Sequence, residues 1–260
     1  TVFQQSLKQH DHPLIQVEAC RAVCSLLLKL QTSETLPFVI LIPLILRALG
    51  DMLNHNHVLF AREIIKALSD LVEVHPTFFK QNLESLINAM VSIARAAGMN
   101  ADTRQSALEF LAILIEHSPV MIRSLPPTLL VIPLLHILFS MLTAIDDDPS
   151  WETSEDEPDE SDLGPFTNAL NVLGRVAEAL RGRVFLPPLY TLVDEYVQSE
   201  NWRCRHAVMF ALSEVADIVT DTQQRETICK YVIASFHDPH PRVRYASVRC
   251  LGQLATDFAP

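Results

Sequence analysis

The amino-acid sequence predicts an all-α fold, and three observations support this class. Apolar side chains recur every three or four residues along nearly all of the 260 residues, as they do on one face of a helix. No window alternates polar and apolar residues for long enough to predict a strand. The six glycines are scattered, whereas hairpins and phosphate-binding loops need glycine at fixed positions.

Five helices are predicted in the first half of the chain. His10-Asp11-His12-Pro13 precedes the first helix, His55-x-His57 separates the second from the third, and His75-Pro76 precedes the fourth. Asn100-Ala101-Asp102 marks the start of the fifth. Proline and short polar side chains interrupt or cap helices, so these breaks set the predicted boundaries. The five helices cover residues 13–31, 35–54, 57–74, 77–98 and 102–117.

Six more helices are predicted in the second half. Ser118-Pro119 precedes the first of them, and Asp238-Pro239-His240-Pro241 precedes the last. An apolar run of 18 residues, from Leu125 to Leu142, is long enough to raise the question of a membrane span. Its prolines, its polar side chains and the acidic segment after it favour a buried helix instead. The six helices cover residues 121–145, 165–182, 185–199, 202–219, 222–237 and 241–257.

The predicted helices repeat with a period of about 40 residues. The block from Asp238 to Gly252 can be laid over residues 201–213 with an offset of 39, the difference between Arg244 and Arg205. Two helices per repeat predict a HEAT-repeat α-α superhelix, an open-ended solenoid of about six helix pairs, because one pair cannot bury its apolar face alone. In such repeats this arginine usually bonds to neighbouring aspartates, so both arginines are predicted to be structural.

Charge and cysteine content exclude several classes of protein. Twenty basic against 31 acidic side chains give a net charge of −11, which argues against nonspecific DNA binding. The five cysteines lie in helical sequence and are odd in number, which indicates reduced thiols of the cytosol or nucleus. No GxSxG or HExxH motif occurs, and core packing explains Cys20 and Cys24 better than a zinc site. We therefore predict no enzyme, no cofactor and no metal site.

One segment, residues 146–162, holds most of the excess negative charge. Removing its ten carboxylates from −11 leaves −1 for the rest of the chain. The segment is either a solvated linker or a loop that attracts a basic partner electrostatically. A calcium loop is disfavoured because Trp151 stands where glycine is required. The ten acids are Asp146, Asp147, Asp148, Glu152, Glu155, Asp156, Glu157, Asp159, Glu160 and Asp162.

Three stretches of the sequence resemble nuclear transport receptors of the importin-β family, of the importin-5 (karyopherin-β3) type. They are Asp238-Pro239-His240-Pro241-Arg242-Val243-Arg244-Tyr245-Ala246 with the following 252–260, Trp202-x-x-Arg205-His206-Ala207, and the acidic insert containing Trp151. The resemblance implies a superhelix whose inner surface, lined by the second helix of each repeat, holds basic cargo segments with nuclear localisation signals and Ran in its GTP state. It also implies an interior fragment of a longer receptor that meets nucleoporins and shuttles between cytoplasm and nucleus.

The resemblance and the charge pattern together assign two sets of partner-binding residues. The first is the acidic loop, residues 146–163, inserted between the two helices of one repeat of a single solenoid segment covering residues 1–260. Trp151 in this loop either packs back on neighbouring helices or gives a partner an apolar contact. The second set lies on the inner helices and comprises Glu63, Asp70, Glu73, Glu109, Glu116, Asn171, Glu178, Trp202, Glu214 and Asp217. The alternative function is a HEAT-repeat scaffold for another protein assembly, such as a phosphatase subunit.

Overall fold

The computed structural model describes residues 2–148, 151 and 164–258, and their regular structure is entirely helical, which confirms the all-α class. No strand occurs in this part of the chain. Two compact units are present, residues 1–130 and residues 131–260.

The first unit contains eight α-helices and two 3-10 segments among its described residues. The 3-10 segments, Leu36–Leu41 and Pro76–Asn82, lead directly into the helices that follow them. The helices are α1 Val2–Leu7, α2 Pro13–Leu27, α3 Thr32–Thr35, α4 Ile42–Asn54, α5 Val58–Val74, α6 Leu83–Arg95, α7 Ala101–His117 and α8 Pro119–Arg123.

The second unit contains six α-helices in the part that the structure describes. Two 3-10 turns, Ala216–Ile218 and Ser235–His237, follow its fourth and fifth helices. The helices are α9 Val131–Leu142, α10 Gly164–Leu180, α11 Gly182–Val197, α12 Trp202–Glu214, α13 Thr222–Ala234 and α14 Pro241–Asp257.

The helices pack in pairs, and the second members of the pairs contact one another. In the first unit α1 packs on α2, α4 on α5 and α6 on α7, while α2, α5 and α7 contact one another in series. In the second unit the pairs are α9 with α10, α11 with α12 and α13 with α14, and α10, α12 and α14 form the equivalent series. The described part of the chain therefore contains six helix pairs, in agreement with the number of about six expected from the repeat period.

Local sequence explains where three of the helices begin, one in the first unit and two in the second. The side chain of Asn100 accepts a hydrogen bond from the backbone N–H of Asp102 at the start of α7, Asn201 accepts from Arg203 in α12, and Asp221 accepts from Gln224 in α13. Such caps satisfy backbone N–H groups that have no partner within the helix.

Several predicted helices are too long. Residues 121–145 break into α8 and α9, because Pro126 and Pro127 lack the backbone N–H that a helix interior needs. Residues 35–54 and 77–98 each begin as a 3-10 segment instead of an α-helix. The predicted helix 202–219 ends at Glu214 and continues as a 3-10 turn, so its boundary was also wrong.

One helical stretch has the length and composition of a membrane span. Thr32–Asn54 comprises 23 residues, and an 18-residue window within it has a mean hydropathy of 2.0. Its interior side chains Ile42, Ile45 and Leu49 are almost fully buried, and the α4 part packs on α5. The window is 39% buried, and core helices of folded proteins also have this length and composition, so this one stretch is weak evidence for a membrane span. The apolar run ending at Leu142 forms a helix of only 12 residues.

Candidate functional site

A part-buried arginine–aspartate pair joins the last two repeats of the second unit. Nε and Nη2 of Arg205, near the start of α12, donate to Oδ2 and Oδ1 of Asp238 at 2.6 and 2.9 Å. Nη1 donates to the carbonyl oxygens of Ser199 and Glu200 at 2.7 and 3.1 Å. The two charged side chains are only 16% and 7% exposed. The predicted structural role of Arg205 is confirmed.

The same ladder recurs at other repeats in weaker forms. Nη1 of Arg244 donates to the carbonyl oxygens of Asp238 and Pro239 at 3.0 and 3.1 Å, so this arginine also holds the turn before α14. In the first unit Nη1 of Arg62 lies 2.9 Å from Oδ2 of Asp102, with side chains 39% and 62% exposed. Solvent competes for that exposed pair, whereas Arg205 and its partner are shielded.

The ladder sets the protonation of Asp238. Burial alone raises the pKa of this carboxyl, but hydrogen bonds from Arg205 and from the backbone N–H of His240 outweigh burial and hold the pKa below its ordinary value. The N–H of His240 lies 2.8 Å from Oδ1 of Asp238. The carboxylate is therefore ionised wherever the protein is folded near neutral pH.

A groove between α5 and α7 collects four of the acids predicted for the inner helices. Its volume is about 900 Å³, and it is lined mainly by polar side chains of the two helices. The four predicted acids are Glu63, Asp70, Glu73 and Glu109. Arg62 and Lys66 also line it, so the groove carries both signs of charge.

A second, smaller pocket of about 360 Å³ lies across α10, α12 and α14 and is called the acidic pocket below. It brings together three of the predicted acids, one from α10, one at the end of α12 and one from the turn after α12. Asp257 and Arg249 on α14 line the same pocket and were not among the residues predicted from the sequence. The lining residues are Gly174, Glu178, Ser213, Glu214, Asp217, Arg249, Gln253 and Asp257.

Glu214 is the carboxyl of the acidic pocket that packs against α10. The residue as a whole is exposed, yet its Oε2 packs so closely on α10 that a Cβ on Gly174 would meet it at 3.1 Å. Burial of the carboxyl raises its pKa, Arg249 acts in the opposite direction, and Asp217 raises it further. Glycine at position 174 thus gives the carboxylate its place against the backbone of the neighbouring helix.

The first residues of the acidic loop are held against the starts of α12 and α14. Nε of Arg203 donates to the carbonyl oxygen of Ile145 at 2.7 Å. Nη1 of Arg242 donates to the carbonyl oxygen of Asp146 at 2.9 Å, across a sequence separation of 96 residues. These bonds fix the backbone at the entry of the loop.

Trp151 packs back on the second unit. Its ring meets the ring of Tyr245 edge to face, with centroids 5.5 Å apart, and the guanidinium of Arg242 lies 5.6 Å from its centroid. Oδ1 of Asp147 lies 3.7 Å from Nε2 of His240, close to the same contacts. Of the two roles considered for the tryptophan, packing on neighbouring helices is the one observed.

Three further candidates lie outside both cavities. The ring of Trp202 stacks on that of His240 with centroids 3.8 Å apart and an angle of 5° between planes. Asn171 is exposed on α10, and Glu116 is half-buried on α7. The seven remaining loop acids fall outside the described residues, namely Glu152, Glu155, Asp156, Glu157, Asp159, Glu160 and Asp162.

The zinc alternative has no support in the described part of the chain. No group of three His, Cys, Asp or Glu side chains there is placed to hold a metal ion. Cys20 and Cys24 are buried in α2, and burial raises the pKa of both thiols, that of Cys24 to about 12. Thiols with such a pKa are protonated at neutral pH and pack as small apolar groups.

Three protein-family models match successive parts of the chain. One described as "IPO5-like, TPR repeats" covers residues 1–89, one described as "Importin repeat" covers residues 96–187, and one described as "HEAT repeat" covers residues 228–258.

Similar proteins are transport receptors several times longer. Importin subunit beta-3 of Saccharomyces cerevisiae is 30% identical over 250 residues, which are 95% of this chain and 23% of that protein. Importin-4 of Mus musculus is 24% identical over 230 residues, 85% of this chain and 21% of the relative. The chain thus spans about a quarter of the length of these relatives.

Solved structures of the karyopherin Kap121p match the whole chain. One, bound to the extreme C-terminus of the protein phosphatase Cdc14p, has a TM-score of 0.90 and 29% identity, covering 100% of this chain and 26% of Kap121p. Another, bound to Nup53p, matches with the same score and identity over 25% of Kap121p. A third, bound to Pho4p, has a TM-score of 0.89 and 29% identity over 26%.

Proposed function

Because the chain belongs to the importin-β family, we propose that it is part of a nuclear transport receptor that binds basic cargo proteins through their nuclear localisation signals. We propose further that the receptor responds to Ran in its GTP state, contacts nucleoporins, and shuttles between cytoplasm and nucleus. The capture of Cdc14p and Pho4p segments by Kap121p, at 29% identity over the whole chain, supports this function.

The acidic pocket is the observation that carries the proposal. Carboxylates from three successive repeats line one cavity, with a single cation among them. A lysine or arginine side chain entering there gains several ion pairs at once, each worth about 0.2–1 kcal/mol when exposed. A basic segment that runs along α10, α12 and α14 would reach this pocket.

A pull-down distinguishes a transport receptor from a HEAT-repeat scaffold. One bait is the 260-residue chain, and the other is a full-length relative that carries this segment. We expect retention of an oligolysine peptide, and of Ran in its GTP state more than in its GDP state. A HEAT-repeat scaffold of another assembly would retain neither Ran form selectively. Equal retention of both Ran forms together with no peptide binding would reject the transport function.

The affinity for a basic peptide is expected to fall as pH is lowered, and to begin falling at a higher pH than an ordinary glutamate allows. The raised pKa of Glu214 is the cause, because protonation removes one of the charges that attract the peptide. Titration of peptide affinity against pH checks this, and Glu214→Gln should remove the early part of the fall. If wild type and variant show the same pH profile, Glu214 does not contact the peptide.

Protonation of Glu214, which is expected to weaken peptide binding, should increase the stability of the folded protein. A carboxyl whose folded pKa is raised contributes stability below its unfolded pKa and loses it as pH rises through the folded pKa. Glu214→Gln is therefore expected to raise the melting temperature slightly at pH 7 while weakening peptide binding. Glu178→Gln, which also removes one charge from the acidic pocket, is the matched control. A lower melting temperature for Glu214→Gln alone would contradict the argument.

We propose that the acidic loop speeds the capture of a basic partner, of which Ran is our first choice. The loop holds ten carboxylates and no Lys or Arg. The electrostatic field of the carboxylates extends about 8 Å at physiological salt. Since Trp151 and Asp147 are engaged with α14, the acids beyond Trp151 are the ones we assign to the partner.

Neutralising the loop should lower the association rate about tenfold or more at low salt, with a smaller change in dissociation. The variant changes the seven acids after Trp151 to Asn and Gln, and stopped-flow binding to Ran and to a basic peptide supplies the rates. The control changes Asp146, Asp147 and Asp148 instead. An association rate equal to wild type for both partners would leave the loop as a solvated linker.

A further inference from the structure

The acidic pocket contains one positive charge of its own. Four carboxylates line it, from Glu178, Glu214, Asp217 and Asp257, and Arg249 is the cation among them. All five groups stand on α10, on α12 with the turn after it, or on α14, which are the three elements that enclose the cavity. An incoming basic side chain therefore meets a pocket that already holds a guanidinium.

Arg249 is held at the pocket without being buried. Its guanidinium lies over the ring of Phe210 on α12, with the central carbon 5.3 Å from the ring centroid. The residue itself is exposed to solvent, so the long side chain can swing away from the ring without opening the core. The Phe210 ring is nearly buried and stays in place.

We propose that Arg249 is an internal counter-ion of the acidic pocket, which a basic side chain of the cargo displaces when it binds. The proposal rests on the function proposed above and adds the regulation of that same site. In the free receptor the guanidinium offsets part of the repulsion among the carboxylates that surround it. In the complex the cargo cation takes over this role, and the competition between the two cations limits affinity.

Charge balance explains why such a residue is useful. Like charges that converge without a counter-ion destabilise the folded protein, and protonation of one of them weakens the pocket for cations. Arg249 opposes the rise in the pKa of Glu214, so it keeps that carboxylate more ionised before cargo arrives. Arg249 also lowers the affinity of the pocket for cargo, which suits a receptor that has to release its cargo.

The test compares Arg249→Gln with Lys230→Gln by measuring oligolysine affinity on the chain and on the full receptor. Both changes remove one positive charge. Lys230, however, is exposed on α13, the first helix of the last pair, and does not line the pocket. We expect Arg249→Gln to bind the peptide about two- to fivefold more tightly, which corresponds to about 0.4–1 kcal/mol and lies within the range for an exposed ion pair. Lys230→Gln should change the affinity by less than about 1.5-fold at physiological salt.

Arg249→Lys separates charge from packing, because it keeps the charge and loses the planar contact with Phe210. Affinity close to wild type is expected for this variant. If Arg249→Gln binds no better than Lys230→Gln, or binds more weakly than wild type, Arg249 is a cargo contact or a bystander and the inference is wrong.

A second readout does not depend on cargo. Carboxyl resonances followed by NMR should show a higher pKa for Glu214 in Arg249→Gln than in wild type, and no change in Lys230→Gln. If Glu214 titrates in Arg249→Gln as it does in wild type, Arg249 is not an internal counter-ion of the acidic pocket. If wild type fails to bind oligolysine while the Glu214 titration shifts as expected, the proposed cargo function fails and the counter-ion stands.

Discussion

Reversing the charges of Glu178, Glu214 and Asp217 to lysine is expected to lower the affinity for an oligolysine peptide by about a hundredfold. Three attractions of about 0.2–1 kcal/mol each are lost, and three repulsions of similar size replace them, for a total near 3 kcal/mol. The three residues act together because they line one cavity from neighbouring repeats. Isothermal titration or fluorescence anisotropy measures the change.

A matched control makes the same change in net charge elsewhere in the second unit. Glu195 on α11, Glu200 in the turn after it and Glu226 on α13 are all exposed and line neither cavity. Their triple reversal to lysine should lower affinity far less, because screening weakens distant exposed charges. Equal losses in the two triple variants would show that overall charge, and not the acidic pocket, attracts the peptide.

Replacing Arg205 with alanine is expected to lower the free energy of unfolding by about 2 kcal/mol, between the values for exposed and for fully buried ion pairs. The change leaves the mostly buried carboxylate of Asp238 without its bidentate partner, and leaves two carbonyl oxygens without a donor. Urea denaturation of the chain supplies the free energy. Arg62→Ala, which breaks the exposed pair with Asp102, should cost no more than about 1 kcal/mol.

The Arg205 pair also predicts a pH dependence of stability. A carboxyl with a lowered folded pKa contributes stability above its unfolded pKa and loses it as pH falls through the folded pKa. The difference in stability between wild type and Arg205→Ala should therefore shrink in acid, where Asp238 is protonated. A difference that is constant down to acid pH, or a loss equal to that of Arg62→Ala, would contradict the assigned role.

Repeat period and cap chemistry were readable from the sequence because both depend on neighbours along the chain. The 39-residue offset between Arg205 and Arg244 predicted the paired helices and the structural role of the first arginine, and both are observed. Asn100 marked the start of α7 because its side chain bonds to the helix that it precedes. Helix ends were less certain, since a 3-10 segment has nearly the same apolar spacing as an α-helix.

The candidate site was partly predictable for the same reason. Positions on the second helices follow from the repeat, so Glu178, Glu214 and Asp217 could be assigned to one face before their convergence was known. Asp257 and Arg249 were missed, because spacing shows which face a residue occupies and not how far its side chain reaches toward the next helix.

By itself the sequence determined the helical class, the two-helix repeat, the concentration of negative charge in one loop and the resemblance to transport receptors. These properties depend on local periodicity and composition. Only the tertiary structure decided that Trp151 packs on Tyr245, that Glu214 lies against Gly174, and that Arg249 shares a pocket with four acids. Each of these contacts joins residues from different repeats, and their distances depend on how the helices pack rather than on the order of residues along any one of them.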